Sequence, residues 1–134
     1  MPKYEVSIDE LRACVNPLNG DMWKCAPIEE AEITQALEAR DFEEKPWKEV
    51  KETLDPSLHR AFHVARIAYL ASSPNKPDDD RPIVIGIAPD RVWIYDGNHR
   101  IAAAMVRGDS TMKIGIAPYE EAAVLKHFPS AKKL

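Results

Sequence analysis

The run from Val92 to Gly108 constrains this chain more than any other stretch. Val92-Trp93-Ile94-Tyr95 is aromatic and β-branched, as a pleated, half-buried strand prefers. The alanine-rich run that follows favours a helix, and Gly108 is the residue type that commonly ends one in the left-handed conformation. Between strand and helix stand Asp96, Gly97, Asn98, His99 and Arg100, which have little reason to be there for packing. A strand entering a helix directly leaves backbone N–H groups without intrahelical partners, and with the helix dipole they form an anion site. Gly97 has no Cβ and would let a ligand approach the backbone. The planar fork of Arg100 suits phosphate or carboxylate. The corner therefore reads as a phosphate-binding turn.

Each corner residue has a structural reading beside the functional one. Asp96 either caps the helix or serves as a Mg²⁺ ligand or general base, and Asn98 competes with it for the cap. His99 titrates near neutrality and could donate to a phosphoryl oxygen or shuttle a proton; otherwise it bonds a neighbouring loop. Arg100 contacts an anion or pairs with an acid under the sheet.

Around that corner the chain reads in order as follows. Tyr4 to Ile8 alternates with period two as a strand, and Asp9 caps a short helix from Glu10 to Ala13. Val15 to Asp21 is rich in turn formers. Pro27 opens a helix to about Arg40, with Ile28, Ala31, Ala36 and Leu37 on its buried stripe. Pro46 opens another, ending near Leu54. Asp55-Pro56 then starts the strongest amphipathic segment, to Ala71, with Leu58, Ala61, Phe62, Ala65, Ala68 and Tyr69 on one face. His59 and His63 lie one turn apart there, but the pattern lacks the Glu of His-Glu-x-x-His, which favours ordinary surface or core histidines. Ser72 to Asp80 is a polar loop, whose Asp78-Asp79-Asp80 reads as solvated acids sooner than a cation site. Ile83 to Ala88 is a buried strand that turns through Pro89-Asp90 into Val92–Tyr95 as a hairpin. Thr111 to Ile116 is the next strand, and Val92 to Ile116 reads as a right-handed parallel strand-helix-strand crossover. A last helix falls between Pro118 and Phe128, before a basic tail.

At 134 residues this is one domain by length, and 45% hydrophobic with 30% charged residues favours a folded globular chain over disorder. The net charge of −4 argues against nucleic acid as the main ligand. No apolar run reaches membrane-spanning length and no signal peptide is evident, so the expected location is the cytoplasm, with Cys14 and Cys25 reduced.

The corner resembles a known family. Gly97, Arg100 and Ala103 reproduce the Gly-x-x-Arg-x-x-Ala pattern of the ParB/sulfiredoxin-like fold, which includes ParB-like nuclease domains. The wider form, a strand, Asp-Gly-x-His-Arg and an alanine-rich helix ending in Gly, is matched from Asp96 to Gly108. Upstream, the helix ending Ile67-Ala68-Tyr69-Leu70-Ala71 and the strand starting Arg81-Pro82-Ile83-Val84-Ile85 match in order. The resemblance covers residues 58–117. Residues 9–57 read as a helical N-terminal insertion within the same single domain, 1–134. It implies an α/β (α+β) fold, a small mixed sheet with a strand-turn-helix phosphate corner.

Its branches imply different chemistries. Sulfiredoxins carry a catalytic cysteine where this chain has Asn98, which excludes sulfinic-acid reduction. Chromosome-partitioning ParB proteins hold CTP at this corner, but the Glu-Asn-x-x-Arg motif and the helix-turn-helix domain that follow there have no counterpart here. Free-serine kinases use Asp-Gly-His-His-Arg with an upstream glutamate, for which Glu5, Glu10, Glu29 and Glu30 are candidates. The resemblance thus implies binding of a nucleoside phosphate, ATP or CTP, with Gly97, Asn98, His99 and Arg100 as binding residues. Hydrolysis or phosphoryl transfer would use Asp96, His99 and Arg100, with Mg²⁺ on Asp96. The alternatives are a non-catalytic interaction protein, such as a phage or mobile-element product binding a host protein, and a metal-dependent nuclease.

Overall fold

A computed structural model describes residues 1–73 and 81–134. The loop expected to carry Asp78-Asp79-Asp80 lies outside the described residues. Among the described residues the architecture is mixed α/β, a five-stranded sheet and six α-helices: β1 Lys3–Ser7, α1 Ile8–Cys14, α2 Glu30–Ala39, α3 Trp47–Val50, α4 His59–Ala71, β2 Val84–Ala88, β3 Arg91–Asp96, α5 Asn98–Arg107, β4 Thr111–Ile116, α6 Glu121–His127 and β5 Lys132–Lys133. Single 3₁₀ turns occupy Pro17–Asn19 and Pro56–Leu58.

The sheet order is β3-β2-β4-β1-β5, with β2 and β4 parallel and the other pairs antiparallel. The expected hairpin is present: Ala88 faces Arg91 across the two-residue turn Pro89-Asp90. That reversal overturns the parallel crossover expected from Val92 to Ile116. Because β3 runs back against β2, it takes the sheet edge, and α5 carries the chain over β2 to lay β4 beside it in parallel.

Period-two burial sets the sheet's inner face. Tyr4, Val6, Ile85, Ile87, Ile94, Ile114 and Ile116 point into one core with Leu11 of α1, Ile101, Ala104 and Met105 of α5, and Val124 of α6. A second core lies on the far side of α5, where Ala102 and Ala103 meet Ile67, Ala68, Leu70 and Ala71 of α4, Ile33 and Ala36 of α2, and Ile28. Helix α5 is therefore packed on both sides, and Ala102, Ala103 and Ala104 are fully buried. Small side chains let two layers close onto one helix, a packing reason for the alanine run in addition to its propensity.

Several element boundaries move for identifiable reasons. Ser7, not Asp9, caps α1, its hydroxyl accepting from the Glu10 N–H at 3.3 Å. Helix α2 starts at Glu30 because the backbone is still extended at Glu29, so Pro27 and Ile28 precede the helix. Ile28 remains buried, while Ala31 is exposed and Ile33 takes the central core position. Helix α3 is one turn long and gives way to turns from Lys51. Asp55 caps the next turn as expected, accepting from Ser57 N–H at 2.9 Å. Leu58, which ends the turn before α4, and Ala61 are exposed, whereas His63, Arg66, Ile67 and Leu70 of α4 are buried beside Phe62 and Ala65. Polar His63 and Arg66 concealed that side from a hydrophobic pattern. The basic tail forms β5, pairing Lys132 with Glu5. No described helix is long and apolar enough to cross a membrane.

Candidate functional site

Strand β3 enters α5 through Gly97, which adopts φ +115° as the helix N-cap. A Cβ there would lie 2.9 and 3.0 Å from Cγ1 and Cγ2 of Ile83. The glycine thus makes room for Ile83 and not, as expected, for a ligand, although its main chain still borders the adjoining cleft. Neither Asp96 nor Asn98 caps the helix; no side chain accepts a capping hydrogen bond there. The first turn of α5 keeps the uncapped N–H groups and positive dipole end that attract anions.

Arg100 is buried, and its guanidinium turns inward. It donates to the carbonyls of Arg81 and Pro82, the latter at 3.3 Å, and lies 3.7 Å from Asp96 Oδ2. Of the two anticipated roles of Arg100, the geometry realises the structural one, since the guanidinium is tied to main chain and to an acid; it also lines the cleft.

His99 behaves differently from expectation. Its Nε2 lies 2.8 Å from Nδ1 of His63, and the indole of Trp23 stacks on both imidazoles at centroid distances of 4.4 and 4.7 Å. Burial, then the neighbouring His59, pushes His63 down to about 4. Burial, with His63 and Arg66 nearby, holds His99 well below the usual imidazole range. The pair is neutral at pH 7, sharing one proton through an N–H···N bond. His99 therefore brings no positive charge to a phosphate, and its Nε2 is engaged. His63 Nε2 has no partner among the described residues. His59 turns away, its Nε2 within 2.9 Å of the Leu54 carbonyl, so the two α4 histidines do not converge on a metal.

The corner opens into a cleft of about 280 Å³. Three aromatic side chains line it, Trp23, Trp47 and Tyr95, as do the cationic groups of Lys48, Arg66, Arg81 and Arg100. Asp96 is the lone carboxylate among its described lining residues. Arg66 is buried and braces the loop before α3, donating to the carbonyls of Glu43 and Glu44 at 3.3 and 2.8 Å. Lys48 and Arg81 are exposed.

Sequence reasoning found the corner but missed Trp23, Trp47, Lys48, Arg66 and Tyr95 as parts of a site. The first three fall in residues 9–57, where no periodic pattern ties side chains to a common face. Two indoles near turn and helix-start signals were the available clue. None of Glu5, Glu10, Glu29 and Glu30 lines the cleft. Glu10 accepts from Ser130 N–H at 3.0 Å, and Glu30 pairs with Arg12 at 3.3 Å. Cys14 and Cys25 are free thiols.

Comparison with known families, with curated proteins and with solved structures finds no match to this chain. Among the described residues no three His, Cys, Asp or Glu side chains gather as metal ligands. Mg²⁺ keeps several waters and is commonly held by one or two carboxylates together with substrate phosphates, and Asp96 is the one carboxylate among the described lining residues that could serve it.

Proposed function

We propose that the cleft at the head of α5 binds a nucleoside phosphate, in the manner of the ParB/sulfiredoxin-like fold that the Asp96–Gly108 segment resembles. The observation that carries this reading is the lining: four cations and three aromatic rings against one carboxylate, in a chain of net charge −4. The uncapped first turn of α5, through the N–H groups of Asn98, His99 and Arg100, meets the phosphate. Lys48 and Arg81 supply mobile positive charge at the rim, and Arg100 fixes residues 81–82 behind it. Trp47 or Tyr95 offers a face for the base, a contact worth about 1–3 kcal/mol per base.

The same geometry favours binding over turnover. Phosphoryl transfer requires placement, charge neutralisation and a group to orient the nucleophile. Asp96, with half its side chain exposed, is the candidate for that last role. His99 is neutral and already bonded to His63, so it is no proton shuttle near pH 7.

Thermal denaturation with ATP, CTP, GTP and ADP, with and without Mg²⁺, tests the reading. Ligand at a hundred times Kd stabilises by about 2.7 kcal/mol, a readily measured rise in Tm. We expect that rise with at least one nucleotide and its loss in Lys48→Gln and in Trp47→Ala. Lys48 is exposed, so Lys48→Gln leaves the fold intact, whereas Trp47 also packs on His59, Phe62 and His63, so its variant is read against its own ligand-free Tm. No rise with any nucleotide refutes the proposal and moves the protein to a non-catalytic interaction role. Phosphate release from the bound nucleotide would add an NTPase step, and nicking of plasmid DNA with divalent metal would support a nuclease.

A further inference from the structure

The sheet has a second face, turned away from its helices. Residues opposite one another on paired strands share a face. Strand register therefore places Lys3, Glu5, Lys113 and Lys132 together there, with Arg91 and Trp93 of β3 farther along. Four cations stand against two acids, Glu5 and Asp96, the latter opposite Val84, a local balance still opposite in sign to the chain as a whole.

The β3 end of that face is built, not merely exposed. The Trp93 indole lies over Gly86, where an added Cβ would come within 2.2 Å of its ring. The Arg91 guanidinium is laid over the same indole, 4.5 Å from the ring centroid. Tyr95 is 60% exposed, meets Trp93 edge-on at 5.8 Å, and also lines the cleft. Arg91, Trp93 and Tyr95 thus form a cationic and aromatic row along an edge strand, the guanidinium laid on the indole and the Tyr95 ring turned 72° to it. The row is continuous with the cleft through Tyr95.

We infer that this face binds single-stranded nucleic acid as a strand leading away from the cleft. Unstacked bases lie on aromatic rings and on guanidinium planes, and backbone phosphates are met by lysines, which is what Tyr95, Arg91 and the Lys3–Lys113 side of the sheet provide. A duplex hides its base faces and cannot use the row. The inference rests on the cleft reading only in placing the strand's terminal nucleoside phosphate there; the row itself is a separate surface. The net charge of −4 argues against nucleic acid as the main ligand but hides how charge is distributed, and only the strand register shows which residues share this face.

Fluorescence anisotropy provides the test. The probes are ten-nucleotide oligo-dT and oligo-U with a terminal phosphate, a duplex of the same length, and the matching mononucleotides. Single strands should bind at least tenfold tighter than the mononucleotide, and the duplex should compete poorly. Arg91→Gln and Lys113→Gln lie outside the cleft. Each should weaken single-strand binding severalfold and flatten the log affinity against log salt slope by about 0.7, the single-strand value per phosphate. Mononucleotide binding should be unchanged in both. The oligo-dT and oligo-U arms report which sugar is preferred. The inference is overturned if the oligomers bind no tighter than a mononucleotide, if duplex binds equally, or if both variants match the parent. Oligomer binding that is lost in Lys113→Gln, with no mononucleotide binding, sustains the row and refutes the cleft reading instead.

Discussion

The neutral histidine pair makes this protein's stability depend on pH well above the range of its carboxylates. His63 is fully buried, with a folded-state value of about 4 against 6.5 for a free imidazole. A base whose folded pKa is depressed is protonated first in the unfolded chain. Stability is therefore complete above pH 6.5 and falls as pH drops, until His63 also protonates in the folded state near pH 4. Each pH unit in that window costs about 1.4 kcal/mol per histidine. Between pH 6.5 and 5 His63 alone removes about 2 kcal/mol, and His99, shifted the same way, steepens the slope. Against a typical 5–15 kcal/mol this is a large fraction. Urea denaturation at half-unit steps from pH 7.5 to 5 measures it, since the midpoint should move while the m-value stays constant. His63→Phe, which keeps an aromatic ring beneath Trp23, should reduce the slope by about one proton. A flat stability profile from pH 7.5 to 5, or a His63 ring resonance titrating near 6.5, would refute the neutral pair.

Three further outcomes follow from local geometry. Gly97→Ala combines a positive φ, costing about 1–2 kcal/mol, with a Cβ driven into Ile83, for which overpacking costs about 1–3 kcal/mol. A Tm lowered by about 5 °C or more, partly restored by adding Ile83→Val, is expected in thermal denaturation; an unchanged Tm would contradict the packing role. Gly86→Ala should lift the Trp93 indole off the sheet, with a red-shifted tryptophan emission and a loss of about 1–3 kcal/mol. Glu32 accepts from both terminal nitrogens of Arg60 at 2.7 Å, which with the Glu29 N–H holds its carboxyl down to about 2. Both side chains are one-third exposed, so Glu32→Gln should cost only about 1 kcal/mol by urea denaturation.

The legible part of the fold was the part with a local signature. Val92 to Gly108 announced a strand, a tight corner and a capped helix, and β3, Gly97, α5 and the left-handed Gly108 occupy those positions. The Pro89-Asp90 hairpin was equally local. Strand order was not, because whether β4 pairs with β2 or β3 depends on contacts far apart in sequence. The strand-turn-helix corner was located correctly and both inward and outward roles were open for His99 and Arg100, but the inward partners were not legible. Gly97 accommodates Ile83, His99 bonds His63, and Arg100 reaches the carbonyls of Arg81 and Pro82. A sequence motif names residue types, and the partner on the other side of each is supplied by tertiary packing. His63 illustrates the same limit: spacing paired it with His59, while folding paired it with His99 across two helices.

That inward arrangement divides the site into two sets of residues with different consequences. Gly97, His99 and Arg100 hold β3, α4 and the entry to β2 around the helix terminus, so substitutions there disturb structure and binding together. The groups left to meet a ligand are the main-chain N–H donors of the first turn and side chains from elsewhere: Trp47 and Lys48 of α3, Arg81, and Tyr95. On the proposed reading, the anion site would be a property of the backbone corner, and the selection among anions would belong to a one-turn helix contributed by residues 9–57. Replacing the exposed Lys48 should change which phosphate ligand binds while Tm without ligand holds within a few degrees. The reverse pattern, altered apo stability with ligand preference intact, would place selectivity in the corner itself.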